Sequence, residues 1–120
     1  MKIKSTLLFT FLFLLVVLAR AQTTHQAVLT WNASADAATN PTLGYNVYRL
    51  ASSCPKTGTS GFTKLNSAPV MALTYTDAPL PIGNVCYCVL ATLNGVESKP
   101  SNKAGGTVGP GTVVLMLQIQ

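Results

Sequence analysis

Beyond Gln22, apolar residues recur at every second position and never settle into a sustained helical period. Ala27, Leu29 and Trp31 alternate with Val28 and Thr30. Tyr45 and Val47 alternate with Asn46 and Tyr48. Val85, Tyr87, Val89 and Ala91 alternate with Cys86, Cys88 and Leu90. A strand sends successive side chains to opposite faces, so this spacing gives each run one face to bury. Turn formers separate the runs: Asn40-Pro41, Thr57-Gly58, Ser60-Gly61, Pro79 to Gly83 and Asn94-Gly95. Glu and Lys are too sparse to build an exposed helical face. The pattern predicts strands over 26–32, 44–50, 61–66, 71–76, 84–93 and 102–108, with polar loops at 32–43 and 51–60. Short strands, turn clusters and a single Trp imply an all-β sandwich.

The chain is 120 residues long, enough for one domain and too short for two. Only 9% of it is charged and 48% is hydrophobic, which argues against charge-driven disorder. Its first residues read as an export signal covering 1–21. Lys2 and Lys4 form a basic start, Leu7 to Leu18 is almost wholly apolar, and Ala19-Arg20-Ala21 offers small residues before a cut at Gln22. The apolar run is about 12 residues, whereas a spanning helix needs about 20. A secreted, periplasmic or cell-surface protein is expected, with no membrane association after cleavage. Removing 1–21 takes away Lys2, Lys4 and Arg20, leaving five basic and three acidic groups, a net charge of +2. Arg49, Lys56, Lys64, Lys99 and Lys103 are scattered, so nothing tracks a phosphate backbone and no nucleic-acid partner is expected.

Five segments occur in an informative order: Val28 to Ser34 (VLTWNAS), Gly44 to Arg49 (GYNVYR), Phe62 to Asn66 (FTKLN), Thr74 to Asp77 (TYTD) and Glu97 to Asn102 (ESKPSN). Together they resemble the fibronectin type III domain in the form common in secreted bacterial proteins. The resemblance covers about residues 25–108. It implies an immunoglobulin-like two-sheet sandwich in which strands A, B and E face C, C′, F and G. Trp31 and Leu29 would lie on B, Tyr45 and Val47 on C, Leu65 on C′, Tyr75 on E, and Tyr87 and Val89 on F, all contributing to the core. Trp and Tyr bury large areas between sheets about 10 Å apart, which agrees with this placement. The chain departs from the family pattern in three places. Strand A is short or missing, because only Gln22 to His25 precede B. The family's tyrosine corner is lost, with Val85 at its position if Val85, Tyr87, Val89 and Ala91 point inward. The opposite register would point Cys86, Cys88 and Leu90 inward, but that set is less apolar. The domain is expected to span 22–110. An apolar, uncharged tail then follows over 111–120: the start of a missing next domain, or the absent edge strand supplied to its own chain or to a neighbour's.

The mature chain holds three cysteines, Cys54, Cys86 and Cys88. Export permits a disulfide. Cys86 and Cys88 share a strand face with Cα atoms about 6.6 Å apart and cannot bond within it. In the family the start of F lies beside the end of C, which implies Cys54–Cys86, with Cys54–Cys88 as second choice. One thiol is left over, either free or available to another chain. A zinc site built on the three thiols and His25 lacks the usual ligand spacing, so no metal and no cofactor are expected.

Little chemistry is visible. His25, the only imidazole, sits at the frayed start of the domain, so a nucleophile has no placed base. Of the three acids, Asp77 is expected to cap a turn through backbone N–H groups, and Glu97 to be solvated in a hairpin; neither pairs with Asp36 as a carboxylate dyad. Asn32-Ala33-Ser34 fits a glycosylation sequon, which chance explains. Tyr48 and Phe62 have outward parity and could form a strip that stacks on sugar rings or packs on a protein, although cross-strand packing is the plainer role. The expectation is a non-catalytic extracellular binding, adhesion or spacer module whose partner is a protein or polysaccharide. The alternatives are a carbohydrate-binding accessory domain using Tyr48, Phe62 and the 51–60 loop, and a structural subunit that assembles by strand exchange as a homo-oligomer through 111–120.

Overall fold

The computed structural model describes residues 25–119. The export signal expected at 1–21 lies outside the described residues. Eight strands follow in order: β1 (Gln26–Trp31), β2 (Gly44–Leu50), β3 (Thr63–Lys64), β4 (Thr74–Asp77), β5 (Gly83–Leu93), β6 (Val96–Glu97), β7 (Ala104–Val108) and β8 (Thr112–Leu117). A single 3-10 turn, Ala35–Ala38, interrupts the β1–β2 connection. β4, β1 and β8 form a three-stranded sheet. β3, β2, β5 and β6 form the second, five-stranded sheet, with β7 also pairing β5. The two enclose one core, so the chain is an all-β, two-sheet sandwich.

Alternation decides what the core contains. Ala27, Leu29 and Trp31 of β1 face Tyr45 and Val47 of β2 and Val85, Tyr87, Val89 and Ala91 of β5. The Trp31 and Tyr45 rings meet edge to face, 5.6 Å apart. The Trp31 indole N–H is buried without a hydrogen-bond partner among the described residues. Leu65 and Tyr75, expected inside, are half-buried and pack against the rim of this cluster.

Three predicted strands are shorter than their pattern. The one expected over 61–66 pairs only at Thr63 and Lys64. Beyond it the Asn66 side chain does the work of a backbone: its Oδ1 accepts from Val47 N–H (2.8 Å) and its Nδ2 donates to Tyr45 C=O (3.1 Å). The strand expected over 71–76 starts at Thr74, because Val70 bridges Tyr45 of the other sheet and the chain must cross over between them. The strand expected over 102–108 starts at Ala104, since the Ser101 hydroxyl accepts from Val89 N–H (2.9 Å) in place of a ladder carbonyl. Asn94 and Gly95, with φ of 52° and 79°, make the two-residue turn between β5 and β6.

The apolar tail belongs to the sandwich. β8 runs parallel to β1 in unbroken register, from Gln26 opposite Thr112 to Trp31 opposite Leu117. It occupies the flank of β1 on the side away from β4. Val113, Leu115 and Leu117 share the parity of Ala27, Leu29 and Trp31, and Leu117 is buried in the core.

Two adjacent glycines, one on each face of β7, admit close neighbours. A Cβ at Gly106 would stand 3.0 Å from Val113 Cγ1, on the side where β8 crosses. A Cβ at Gly105 would stand 2.8 Å from Cys54 Sγ, on the outer side. That sulfur belongs to the Cys54–Cys86 disulfide, which spans 32 residues. In the chain-entropy model such a closure stabilises by about 3–4 kcal/mol.

Candidate functional site

The polar side chains gather in three assemblies and one surface cleft. The first bridges the two sheets. Arg49 Nη1, from β2, donates to both carboxylate oxygens of Asp77 on β4, at 3.1 and 2.9 Å. The Tyr87 hydroxyl, from β5, donates to the same carboxylate at 2.7 Å. The turn-capping role expected of Asp77 is therefore replaced: its acceptors take side-chain donors, because the residue is buried and faces a cation and a phenol from the opposite sheet. Burial first, then the bond to Asp77 and its charge, push the Tyr87 phenol far above its usual range.

That shift has a stability consequence. The folded state holds the Tyr87 proton more tightly than the unfolded chain does. Its contribution is complete below about pH 10, the unfolded tyrosine value, and is lost as pH rises beyond it. The urea midpoint of the protein should fall from about pH 9 upward, where the raised Cys88 and Tyr48 groups add to the loss from Tyr87, and Tyr87→Phe should make that fall shallower above about pH 10. A midpoint in the unaltered protein that stays level through this range would show the phenol to be solvated instead.

The second assembly lies outside the five-stranded sheet. The Glu97 carboxylate on β6 accepts from Tyr48 hydroxyl (2.6 Å) and from Asn46 Nδ2 (2.9 Å). Glu97 is thus not a freely solvated loop acid; β6 places it beside β5, across which Tyr48 and Asn46 of β2 reach it, and the Tyr48 bond first, then the Asn46 bond, lower its pKa. Burial and the same contact push Tyr48 up to about 12.

In the third, loop 51–60 is tied across the outside of the same sheet by Cys54–Cys86 and by Lys103 Nζ donating to Pro55 C=O at 3.0 Å. Cys88 stands on that outer face opposite Tyr48, fully buried. Burial pushes its thiol up to about 11, against a weaker pull from Lys103. A thiol held protonated and out of contact with solvent is a poor nucleophile.

Tyr48 and Phe62 are both half-buried. Tyr48 is committed to Glu97, whereas Phe62 precedes β3 in a turn whose N–H donates to Thr59 C=O at 3.3 Å. The ring pair recorded among the described residues is Trp31–Tyr45, so Tyr48 and Phe62 do not stack on one another.

At the pole where β1–β2 and β5–β6 turn, a cleft of about 440 Å³ opens, with Ser34, Asp36, Asn94 and Glu97 among its polar lining residues and Leu43, Leu93 and Val96 among its apolar ones. Asn40 Nδ2 donates to Asp36 C=O (3.0 Å) and steadies the turn. The exposed Asp36 carboxylate makes no hydrogen bond to another described residue, so it is available to a ligand.

Among the described residues no three metal-ligating side chains cluster, and no helix is long and apolar enough to cross a membrane. No family model matches the chain, and no curated protein matches it either. The class that fold and site define is an all-β, two-sheet sandwich closed by one disulfide.

Proposed function

We propose that the chain is a non-catalytic, exported module of the fibronectin type III kind, which binds another extracellular component through the cleft beside Asp36 and Asn94 or spaces its neighbours. One observation carries this reading. The acid, base and phenol groups that meet in space are hydrogen-bonded to one another across strands, and the thiol is buried and protonated, so the converging polar groups hold the sandwich together. The fibronectin type III assignment rests on the five sequence segments, and the arrangement of β1 with β4 against β2, β3 and β5 supports it. Export rests on the N-terminal signal pattern, and a disulfide fits an oxidising compartment.

The carbohydrate reading draws less support, because the Tyr48 hydroxyl is held by Glu97 and its ring does not stack with Phe62. Strand exchange also draws less, because β8 is satisfied within its own chain.

Retention of the mature chain on insoluble polysaccharides and on extracellular-matrix proteins tests the proposal. Asp36→Ala and Asn94→Ala, both exposed, should weaken retention about tenfold each, the worth of one good polar contact. Loss on Tyr48→Ala alone would favour the carbohydrate reading. Retention on neither surface class would leave the spacer role.

A further inference from the structure

Charge is absent from the outside of the three-stranded sheet. That face is built of Val28, Thr30, Thr74, Thr76, Val114 and Met116, which the register brings side by side. The charged residue on its strands, Asp77, is buried against Arg49. The other sheet carries Arg49, Lys64 and Glu97 on its strands.

The same sheet ends in an unguarded strand. Among the described residues β8 pairs β1 on one side and no strand on the other, and β7 of the second sheet packs against its inward side chains Val113 and Leu115 without joining its ladder. In a parallel ladder alternate residues turn both backbone groups away from the neighbour, so about half of β8 presents unpaired N–H and C=O groups. Edges are normally blunted by a lysine, a proline, a bulge or a very short strand. β8 has none of these: it runs six residues, TVVLML, in unbroken register. Val114 and Met116 beside the edge are 64% and 78% exposed. Its far end is fastened, because Gln118 N–H donates to Asn102 Oδ1 and Ile119 N–H donates to Asn32 Oδ1. The strand therefore stays in its own sheet, and its unpaired edge lies beside the exposed Val114 and Met116.

We propose that this edge pairs with β8 of a second copy of the chain, antiparallel about a two-fold axis, so that the two three-stranded sheets become one continuous sheet. A two-fold contact sets an edge against itself. An edge without charge meets itself without repulsion, and Val114 and Met116 of each copy cover those of the other. The opposite edge, β4, is only four residues long, so it offers a shorter ladder.

Sedimentation of the mature chain from micromolar to millimolar concentration tests this. The expected result is a monomer–dimer equilibrium. Val114→Lys with Met116→Lys should weaken it at least about 100-fold. Val96→Lys, equally exposed but on β6 of the other sheet, should leave it unchanged. Amide exchange in the unaltered protein gives a readout that needs no variant: protection across 112–117 should rise with concentration. A monomer at millimolar concentration, a dimer that survives both lysines, a dimer lost on Val96→Lys, an open series of larger species, or exchange at 112–117 independent of concentration would each overturn the proposal.

Discussion

Asp77→Ala is expected to cost the sandwich about 3 kcal/mol. The carboxylate is the common acceptor of a guanidinium and a phenol, and the substitution leaves both donors in place without it. An orphaned buried hydroxyl alone costs about 1–3 kcal/mol. Stripping one partner from a buried ion pair costs about 3–5 kcal/mol. Arg49 keeps 32% of its side chain in contact with solvent and can turn to water, which lowers its share. Domains of this size have only about 5–15 kcal/mol in total, so the effect is a large fraction. Urea denaturation measures it. Asp77→Asn, which keeps an acceptor and the shape, should recover part of the loss, and a double-mutant cycle with Tyr87→Phe should show coupling. A loss under about 0.5 kcal/mol, the scale of ordinary surface changes, would mean that the triad does not hold the two sheets together.

This triad also marks the limit of what the sequence discloses. Strand parity is local, so the alternation in 26–32, 44–50 and 84–93 specifies the inward faces of β1, β2 and β5 without knowledge of their neighbours. Polar contacts are not local. Arg49 and Asp77 lie 28 residues apart, and Asn46 and Glu97 lie 51 apart. Nothing near Asp77 distinguishes a turn cap from a buried acceptor until β4 is set against β2 and β5. Glu97 looks solvated until the hairpin turns it toward Tyr48. Asn66 stands in a run that reads as strand, yet its side chain replaces the ladder, and an amide in that run is the one available signal. Burial of Cys86 and Cys88 has a similar origin: their parity is outward, and loop 51–60, drawn over by the disulfide and Lys103, lies across the face they occupy. The tail gives the clearest local clue, an uncharged apolar run, but the run does not say whether it pairs at home or elsewhere.

Deleting 111–120 tests where that run belongs, and the expected result is a chain that no longer unfolds cooperatively. Leu117 is buried, and Leu115 and Ile119 pack against the core. A fully buried aliphatic side chain is worth about 1.5–3 kcal/mol, so one full and several partial burials amount to something on the order of 5 kcal/mol. That approaches the whole stability of a small domain. The deletion also uncovers one backbone flank of β1, the strand that carries Leu29 and Trp31. Gly106→Val separates loss of packing from loss of chain. Its Cβ would press on Val113 across a 3.0 Å gap, and overpacking of this kind costs about 1–3 kcal/mol. Exchange should then quicken in 112–117 before it quickens in β2, since β2 is paired on both sides within the other sheet. A truncated chain that melts like the full one would place the stability of the sandwich in β1 to β7 alone. β8 would then be a strand held by the domain and not one that holds it.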